Sequence, residues 1–95
     1  MRIIEKEMLA AITNKVCWKK DNTEVNFTDA GYCSYSNIFL HNNLIAVFNH
    51  ASRVVDVVEE TLERFPTNTT MIRPRALGVD VKRKGGNVFL YGEPL

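Results

Sequence analysis

The sequence has few of the residues that build metal centres, disulfide frameworks and membrane spans. Among 95 residues there are two cysteines and two histidines, with no Cys-x-x-Cys or His-x-x-x-His pair, so a structural zinc site is not expected. No apolar run approaches the roughly 20 residues that cross a bilayer. Because Cys17 and Cys33 are isolated, we expect free thiols, with Cys33 packed in the interior.

Signatures of catalysis are missing as well. Gly85-Gly86 lacks the Lys-Ser/Thr pair that follows a phosphate-binding glycine-rich loop, and no Gly-x-Ser-x-Gly motif occurs. His41 and His50 both lie beside predicted turns, where we expect solvated side chains. We therefore predict a protein that is not an enzyme and that needs no cofactor and no metal.

Length and charge set further limits. A chain of 95 residues makes one domain (1–95) with a thin core, and domains of this size often gain stability by forming oligomers. The formal net charge is +1, so no general preference for nucleic acid is evident. The N-terminal segment interleaves charges and lacks the apolar stretch of a signal peptide. We expect a cytoplasmic homo-oligomer with no membrane partner.

The first half of the chain has the periodicity of a helix followed by strands. Apolar residues recur every four positions over residues 3–17, which predicts an amphipathic helix that Trp18 ends. Alternating and β-branched residues then predict strands at 23–28, 32–40 and 44–48. The triplet His41-Asn42-Asn43 provides a turn between two of these strands, because asparagine tolerates positive φ.

Residues 53–63 fit two patterns. Val54, Val57 and Leu62 lie on one stripe of a helix, whereas the density of β-branched residues in 53–58 favours a strand. We predict a strand over 53–63, with a helix as the alternative.

The remaining segments predict a short helix and a hairpin. Phe65-Pro66 ends the preceding element, Thr69 or Thr70 caps a helix that Gly78 closes, and Pro74 must lie in the first turn of that helix. Residues 79–84 and 87–91 flank the turn signal Gly85-Gly86. The whole order predicts an α+β domain with an N-terminal helix, an antiparallel meander sheet, a short second helix and a C-terminal β-hairpin.

The best candidate for a binding site is the segment 67–75, Thr-Asn-Thr-Thr-Met-Ile-Arg-Pro-Arg. A helix N-terminus presents backbone N–H groups and a partial positive charge, and the arginine fork matches phosphate. We predict that Thr69, Thr70, Arg73 and Arg75 hold an anion. In the alternative, the threonines only cap the helix and the arginines pair with nearby carboxylates. Those carboxylates are Glu59, Glu60 or Glu63.

Further binding residues are predicted from aromatic, amide and basic side chains. Trp18 stacks on a base beside Asn22, or it is simply part of the core. Lys82 and Lys84 share one face of a strand and contact a ligand, or their charge keeps an edge strand soluble. The asparagines of the His41-Asn42-Asn43 turn read base edges, or they are explained by turn geometry alone.

Several short segments resemble small proteins of tailed bacteriophages. The segments are Ile3-Ile4-Glu5-Lys6-Glu7-Met8, Asn22-Thr23-Glu24-Val25, Phe39-Leu40-His41-Asn42-Asn43-Leu44-Ile45-Ala46, Phe65-Pro66-Thr67-Asn68-Thr69-Thr70 with Arg73, Ala76-Leu77-Gly78-Val79 and Val88-Phe89-Leu90-Tyr91-Gly92. The resemblance implies a phage accessory protein. One compatible family is the phage anti-defence sponges, including those that oppose Thoeris. Its members are small α+β oligomers that bind nucleotide immune signals without cleaving them.

Three functions are compatible with these features. The first, which we expect, is sequestration of a nucleotide-like immune signal in the host cytoplasm, either a cyclic ADP-ribose isomer or a cyclic oligonucleotide. The second is inhibition of a host enzyme or nuclease by direct protein contact, with the acidic stretch 56–63 imitating a row of nucleic-acid phosphates. The third is binding of nucleic acid by residues 82–84, which would make affinity fall steeply with salt.

Overall fold

Two antiparallel sheets and three helices make up the part of the chain that the computed structural model describes, residues 3–65, 67–85 and 87–94. The predicted α+β class, with its N-terminal helix, meander sheet and C-terminal hairpin, is confirmed. In chain order the elements are α1 (Ile3–Thr13), β1 (Trp18–Lys20), β2 (Thr23–Asp29), β3 (Ser34–Leu40), β4 (Asn43–Asn49), β5 (Val54–Val57), α2 (Glu59–Arg64), α3 (Asn68–Ala76), β6 (Val81–Lys84), β7 (Asn87–Leu90) and β8 (Glu93–Pro94).

Helix α1 is shorter than the predicted 3–17, because the chain leaves the helix in a left-handed turn. Lys15 has φ of 56°, the Lys15 N–H donates to the carbonyl of Ile12, and the Val16 N–H donates to that of Ala11. This pair of hydrogen bonds is the Schellman arrangement that ends many helices. Val16 is consequently exposed, and Trp18 starts a strand instead of ending the helix.

Strands β1 to β5 form a meander in sequence order, and α1 packs against it. Val25, Ile38 and Ala46 lie opposite one another on successive strands, so their side chains share the face that α1 covers. The pairing of β3 with β4 shifts at Ile38/Phe39, where a bulge interrupts the ladder. The buried residues of this first cluster are Met8, Ala11, Ile12, Val25, Ile38, Leu40, Ile45 and Ala46.

A second cluster of buried residues lies between the short helices and the small sheet of β6, β7 and β8. Val55 of β5 packs against both clusters, so the two apolar regions are in contact. The C-terminal hairpin is confirmed, with β8 as an additional strand, while Gly86 of its predicted turn lies outside the described residues. The buried members of the second cluster are Leu62, Met71, Val79, Val81 and Val88.

The prediction of one strand over residues 53–63 was wrong in its second half. The β-branched residues form β5, but the chain then turns into α2, whose buried residue is Leu62. Two features favour the helix there. Glu59 and Glu60 lie in its first turn, where the helix dipole favours negative charge. The hydroxyl of Thr61 donates to the backbone carbonyl of Leu44 at 2.8 Å and fixes α2 on β4.

Helix α3 begins earlier than predicted and holds a proline in its interior. Its N-cap is Thr67, whose Oγ1 accepts the N–H of Thr70 at 3.2 Å, so neither Thr69 nor Thr70 is the cap. Pro74 lies well beyond the first turn, contrary to the prediction. Its ring is fully buried, which offsets the hydrogen bond it cannot donate. Gly78, at φ of +90°, closes the helix as predicted.

Candidate functional site

The first turn of α3 and the turn between β3 and β4 border a solvent-open cavity of about 360 Å³, here named the α3 cavity. The fold therefore joins two features that the sequence presents as separate candidates, the segment 67–75 and the His41-Asn42-Asn43 turn. Pro66, which precedes this segment, lies outside the described residues. The cavity is lined by Leu40, His41, Asn43, Ile45, Thr61, Phe65, Thr67, Thr69 and Thr70.

The α3 side of the cavity presents hydroxyl groups and a helix N-terminus. The hydroxyls of Thr67 and Thr70 lie 2.9 Å apart and hydrogen-bond each other, and Thr70 is 2% exposed. Thr69 is half-buried on the wall of the cavity. The N–H groups of Asn68 and Thr69 belong to the turn that a helix leaves without internal acceptors, so this wall carries partial positive charge.

The opposite side is a strained polar turn. His41 and Asn42 both adopt positive φ, at 50° and 65°, as the tight connection between two antiparallel strands requires. The His41 N–H donates to the carbonyl of Asn22 at 2.8 Å, and the Asn22 amide nitrogen lies 3.5 Å from His41 Nε2. The Asn43 amide donates to the His41 carbonyl at 3.0 Å. These bonds hold one imidazole and one amide at the rim of the cavity.

The floor is apolar and one wall is aromatic. Leu40 and Ile45 are buried beneath the cavity, and Phe65 is 40% exposed at its edge. Among the described residues, no aspartate, glutamate, lysine or arginine lines it. An apolar floor with a few convergent hydroxyl, amide and imidazole groups suits a planar, polar-edged molecule of small size.

The two predicted arginines do not meet on this surface. Arg73 is 2% exposed, its Nε donates to Thr23 Oγ1 at 3.0 Å and its Nη1 lies 3.4 Å from Glu5 Oε1. Arg75 is exposed, and its Nε donates to the carbonyl of Val81 at 2.6 Å. Residues two apart on a helix point to different sides, which is why the guanidinium groups diverge.

The carboxylates expected to neutralise these arginines lie elsewhere. Arg73 pairs with Glu5 of α1, and Glu60 instead pairs with Arg64 one turn further along α2, at 2.8 Å. The alternative therefore holds in part: a threonine, Thr67, caps the helix and Arg73 pairs with a carboxylate, whereas Arg75 donates to a backbone carbonyl.

The other predicted binding residues are scattered over the molecule. Trp18 is half-buried against the first core cluster. Asn22 lines a hollow of about 200 Å³ on the other side of His41, together with Lys19 and Asn42. Lys82 and Lys84 are exposed on β6, at one edge of the small sheet, and neither lines the α3 cavity.

The sequence gives no indication that Thr61 and Phe65 would line a cavity. Thr61 comes from the segment whose helix is the less favoured prediction, and Phe65 belongs to the pair that is predicted only to end that segment.

The prediction of a solvated side chain at His50 was wrong. His50 is half-buried, and its ring is hydrogen-bonded to Ser36. Cys33 is half-buried too, with its Sγ donating to Asn49 Oδ1 at 3.3 Å, while Cys17 is an exposed free thiol.

Comparison with known protein families identifies the origin of the chain. A family model described as "Kyanoviridae Gp96 protein" matches residues 1–92. The chain belongs to this family. Because the Kyanoviridae are phages, the resemblance to bacteriophage proteins is confirmed. No curated protein and no solved structure matches the chain. No helix among the described residues is long and apolar enough to span a membrane.

Proposed function

We propose that this Kyanoviridae Gp96 family protein is a non-enzymatic anti-defence protein that binds a nucleotide-like immune signal in the α3 cavity and sequesters it. The observation that supports the proposal is the convergence of a helix N-terminus, an aromatic edge and an amide-bearing turn on one concave site. The signal would be a cyclic ADP-ribose isomer or a cyclic oligonucleotide, met by the phage protein in the host cytoplasm.

In this proposal, each part of such a ligand contacts a different part of the α3 cavity. The base lies against Phe65 and the apolar floor, with its polar edge toward His41 and Asn43. A phosphate lies at the first turn of α3, where backbone N–H groups and Thr69 donate to it. Because Arg73 pairs with Glu5, this mode of binding depends on stacking and shape complementarity more than on an arginine that contacts the phosphate.

Replacing Phe65 by alanine is expected to weaken nucleotide binding about 5- to 150-fold, because stacking on one aromatic ring contributes about 1–3 kcal/mol per base. Isothermal calorimetry with cyclic ADP-ribose isomers and cyclic dinucleotides measures this directly. For the unaltered protein we expect a Kd below about 10 μM with at least one of these ligands.

The matched control is Tyr32→Ala, which removes an aromatic side chain that is 93% exposed and does not line the α3 cavity. It should leave the affinity unchanged. Equal affinities of the unaltered protein and Phe65→Ala would refute binding in this cavity. The absence of any binding at 10 μM would refute capture of these signals altogether.

A second candidate function, inhibition of a host protein by contact, is favoured by an acidic groove. Glu59 and Glu63 from α2 and Glu93 from β8 line a groove of about 470 Å³ beside Tyr91, which is 64% exposed. Among the described residues, none of these three carboxylates forms a salt bridge. The groove therefore suits a basic segment of a partner.

Removing the negative charge of this groove distinguishes the two candidate functions, nucleotide sequestration and contact with a host protein. The variant Glu59→Gln/Glu63→Gln should lose a stoichiometric partner captured from host lysate if the contact function holds, and it should leave nucleotide affinity intact. A partner captured equally well by both proteins would show that the acidic groove is not the contact surface.

A further inference from the structure

A second cavity, of about 290 Å³, lies where α1 ends and β4 turns into β5. We name it the α1 cavity. It has no lining residue in common with the α3 cavity, and its walls are chemically different because they carry cationic side chains. The lining residues are Ile12, Thr13, Lys15, Phe48, His50 and Arg53.

Two cations face this cavity without acidic neighbours. Lys15 follows the end of α1, and Arg53 closes the turn between β4 and β5. Within the described part of the chain, no carboxylate lines the cavity and neither cation takes part in a salt bridge. Two positive charges from sequence positions 38 residues apart (53 − 15) therefore line one small cavity, and together they favour an anion there.

The backbone of these two cationic residues has an unusual conformation. Lys15 has φ of 56° and Arg53 has φ of 61°, both in the left-handed region that glycine occupies without strain. Lys15 holds the position that glycine most often takes in a Schellman motif. Arg53 donates its N–H to the carbonyl of Asn49 at 2.7 Å, which closes its turn. Glycine would fit both turns, so the backbone conformation does not account for a lysine and an arginine at these positions.

His50 completes the polar part of the cavity. Its Nε2 lies 2.8 Å from the hydroxyl of Ser36, which is fully buried, and its ring makes edge contacts with Phe27 and Phe48. Burial lowers the pKa of His50, and the charge of Lys15 lowers it further. The imidazole is therefore neutral at pH 7, with Nε2 engaged by Ser36 and Nδ1 left as the ring atom for another hydrogen bond.

We propose that the α1 cavity binds the phosphate group of a small phosphomonoester. Lys15 and Arg53 supply the charge, Thr13 and His50 supply hydrogen bonds, and Ile12 and Phe48 contact the organic part of the ligand. The volume lies just below the usual range for ligand pockets, which limits the occupant to a compact molecule. This site goes beyond the proposed function, because it is separate from the α3 cavity in position and in chemistry.

The glycine variants Lys15→Gly and Arg53→Gly test the proposal without endangering the fold, since glycine fits both left-handed turns. The probe is phenyl phosphate, with phenol as the uncharged control and inorganic phosphate as the bare anion. Binding is followed by NMR through the imidazole resonances of His50. Each variant should weaken phenyl phosphate binding about tenfold or more, and the double variant should abolish it. Lys6→Ala, which removes an exposed cation from α1, should change nothing.

A further signature distinguishes this site from general attraction to positive charge. The charged groups in the cavity are Lys15 and Arg53, and the other contacts of His50 come from Ser36, Phe27 and Phe48. A bound phosphate offsets the Lys15 charge, so the pKa of His50 should rise when phenyl phosphate is present. Unchanged binding in the double glycine variant, or equal shifts with phenol and phenyl phosphate, would overturn the proposal.

The binding proposals for the α3 cavity and the α1 cavity can be refuted independently of each other. Phe65→Ala should leave phenyl phosphate binding at the α1 cavity unaltered. The two glycine variants should leave nucleotide binding at the α3 cavity unaltered. Loss of phenyl phosphate binding in Phe65→Ala would place the probe in the α3 cavity and exclude the α1 cavity as its site.

Discussion

Replacing Arg73 by methionine is expected to lower the free energy of unfolding by about 3–5 kcal/mol. The side chains of Arg73 and Glu5 are 3% and 8% exposed, so removal of the arginine takes a guanidinium group away from a carboxylate that stays in the interior. The hydroxyl of Thr23, also fully buried, loses the donor that Arg73 Nε provides at 3.0 Å. Urea denaturation followed by circular dichroism measures the change.

Two companion variants make this expectation specific. Lys20→Met breaks the pair with Glu7, whose side chains are 44% and 40% exposed, and should lower stability by about 1 kcal/mol at most. Glu5→Leu/Arg73→Met removes both buried charges and should recover most of the loss, since an apolar pair leaves neither of these charges in the interior. If Arg73→Met lowered the free energy of unfolding no more than Lys20→Met does, the buried pair of Arg73 and Glu5 would not stabilise the fold as argued.

The position of Arg73 explains why the anion-binding corner could be predicted only in part. Glu5, Thr23 and Arg73 come from α1, β2 and α3, and their contact is created by packing that no local pattern reveals. The helix that follows the threonines, its closure at Gly78 and the turn at His41 depend on nearby residues and were predicted, whereas the cap is Thr67 and not the predicted Thr69 or Thr70. The opposite directions of Arg73 and Arg75 also follow from helix geometry alone.

For the fold as well, local sequence patterns predicted some elements and missed others. Four strands of the meander and the C-terminal hairpin were predictable because their strands are short, alternate in polarity and are joined by turn residues. Strand β1 was missed, because Trp18 was expected to end α1. Helix α2 was not predictable, because its valine-rich neighbour β5 hides the change of period at Val58. The α1 cavity was missed for another reason. Lys15 and Arg53 occupy positions where the usual residue is glycine, and the sequence shows no glycine to mark either turn.

Helix α2 also carries a residue on which the second core cluster depends. Leu62 is fully buried among Met71, Val79, Val81 and Val88, in a chain short enough that each cluster contains few side chains. Leu62→Ala is expected to lower the free energy of unfolding by about 2–5 kcal/mol, from lost apolar burial and from the cavity left behind. Against a typical domain stability of about 5–15 kcal/mol, this is a large fraction.

The loss should extend beyond the second cluster, because Val55 packs against both clusters. Trp18 packs against the first, so its fluorescence reports on that region while far-ultraviolet circular dichroism reports on the whole fold. We expect Leu62→Ala to shift both signals to the same lower urea midpoint. Leu62→Met keeps the volume nearly constant and should cost less than about 1.5 kcal/mol. A Trp18 transition that stays in place while the circular dichroism signal falls in two steps would mean that the clusters unfold separately, and that Val55 does not couple them.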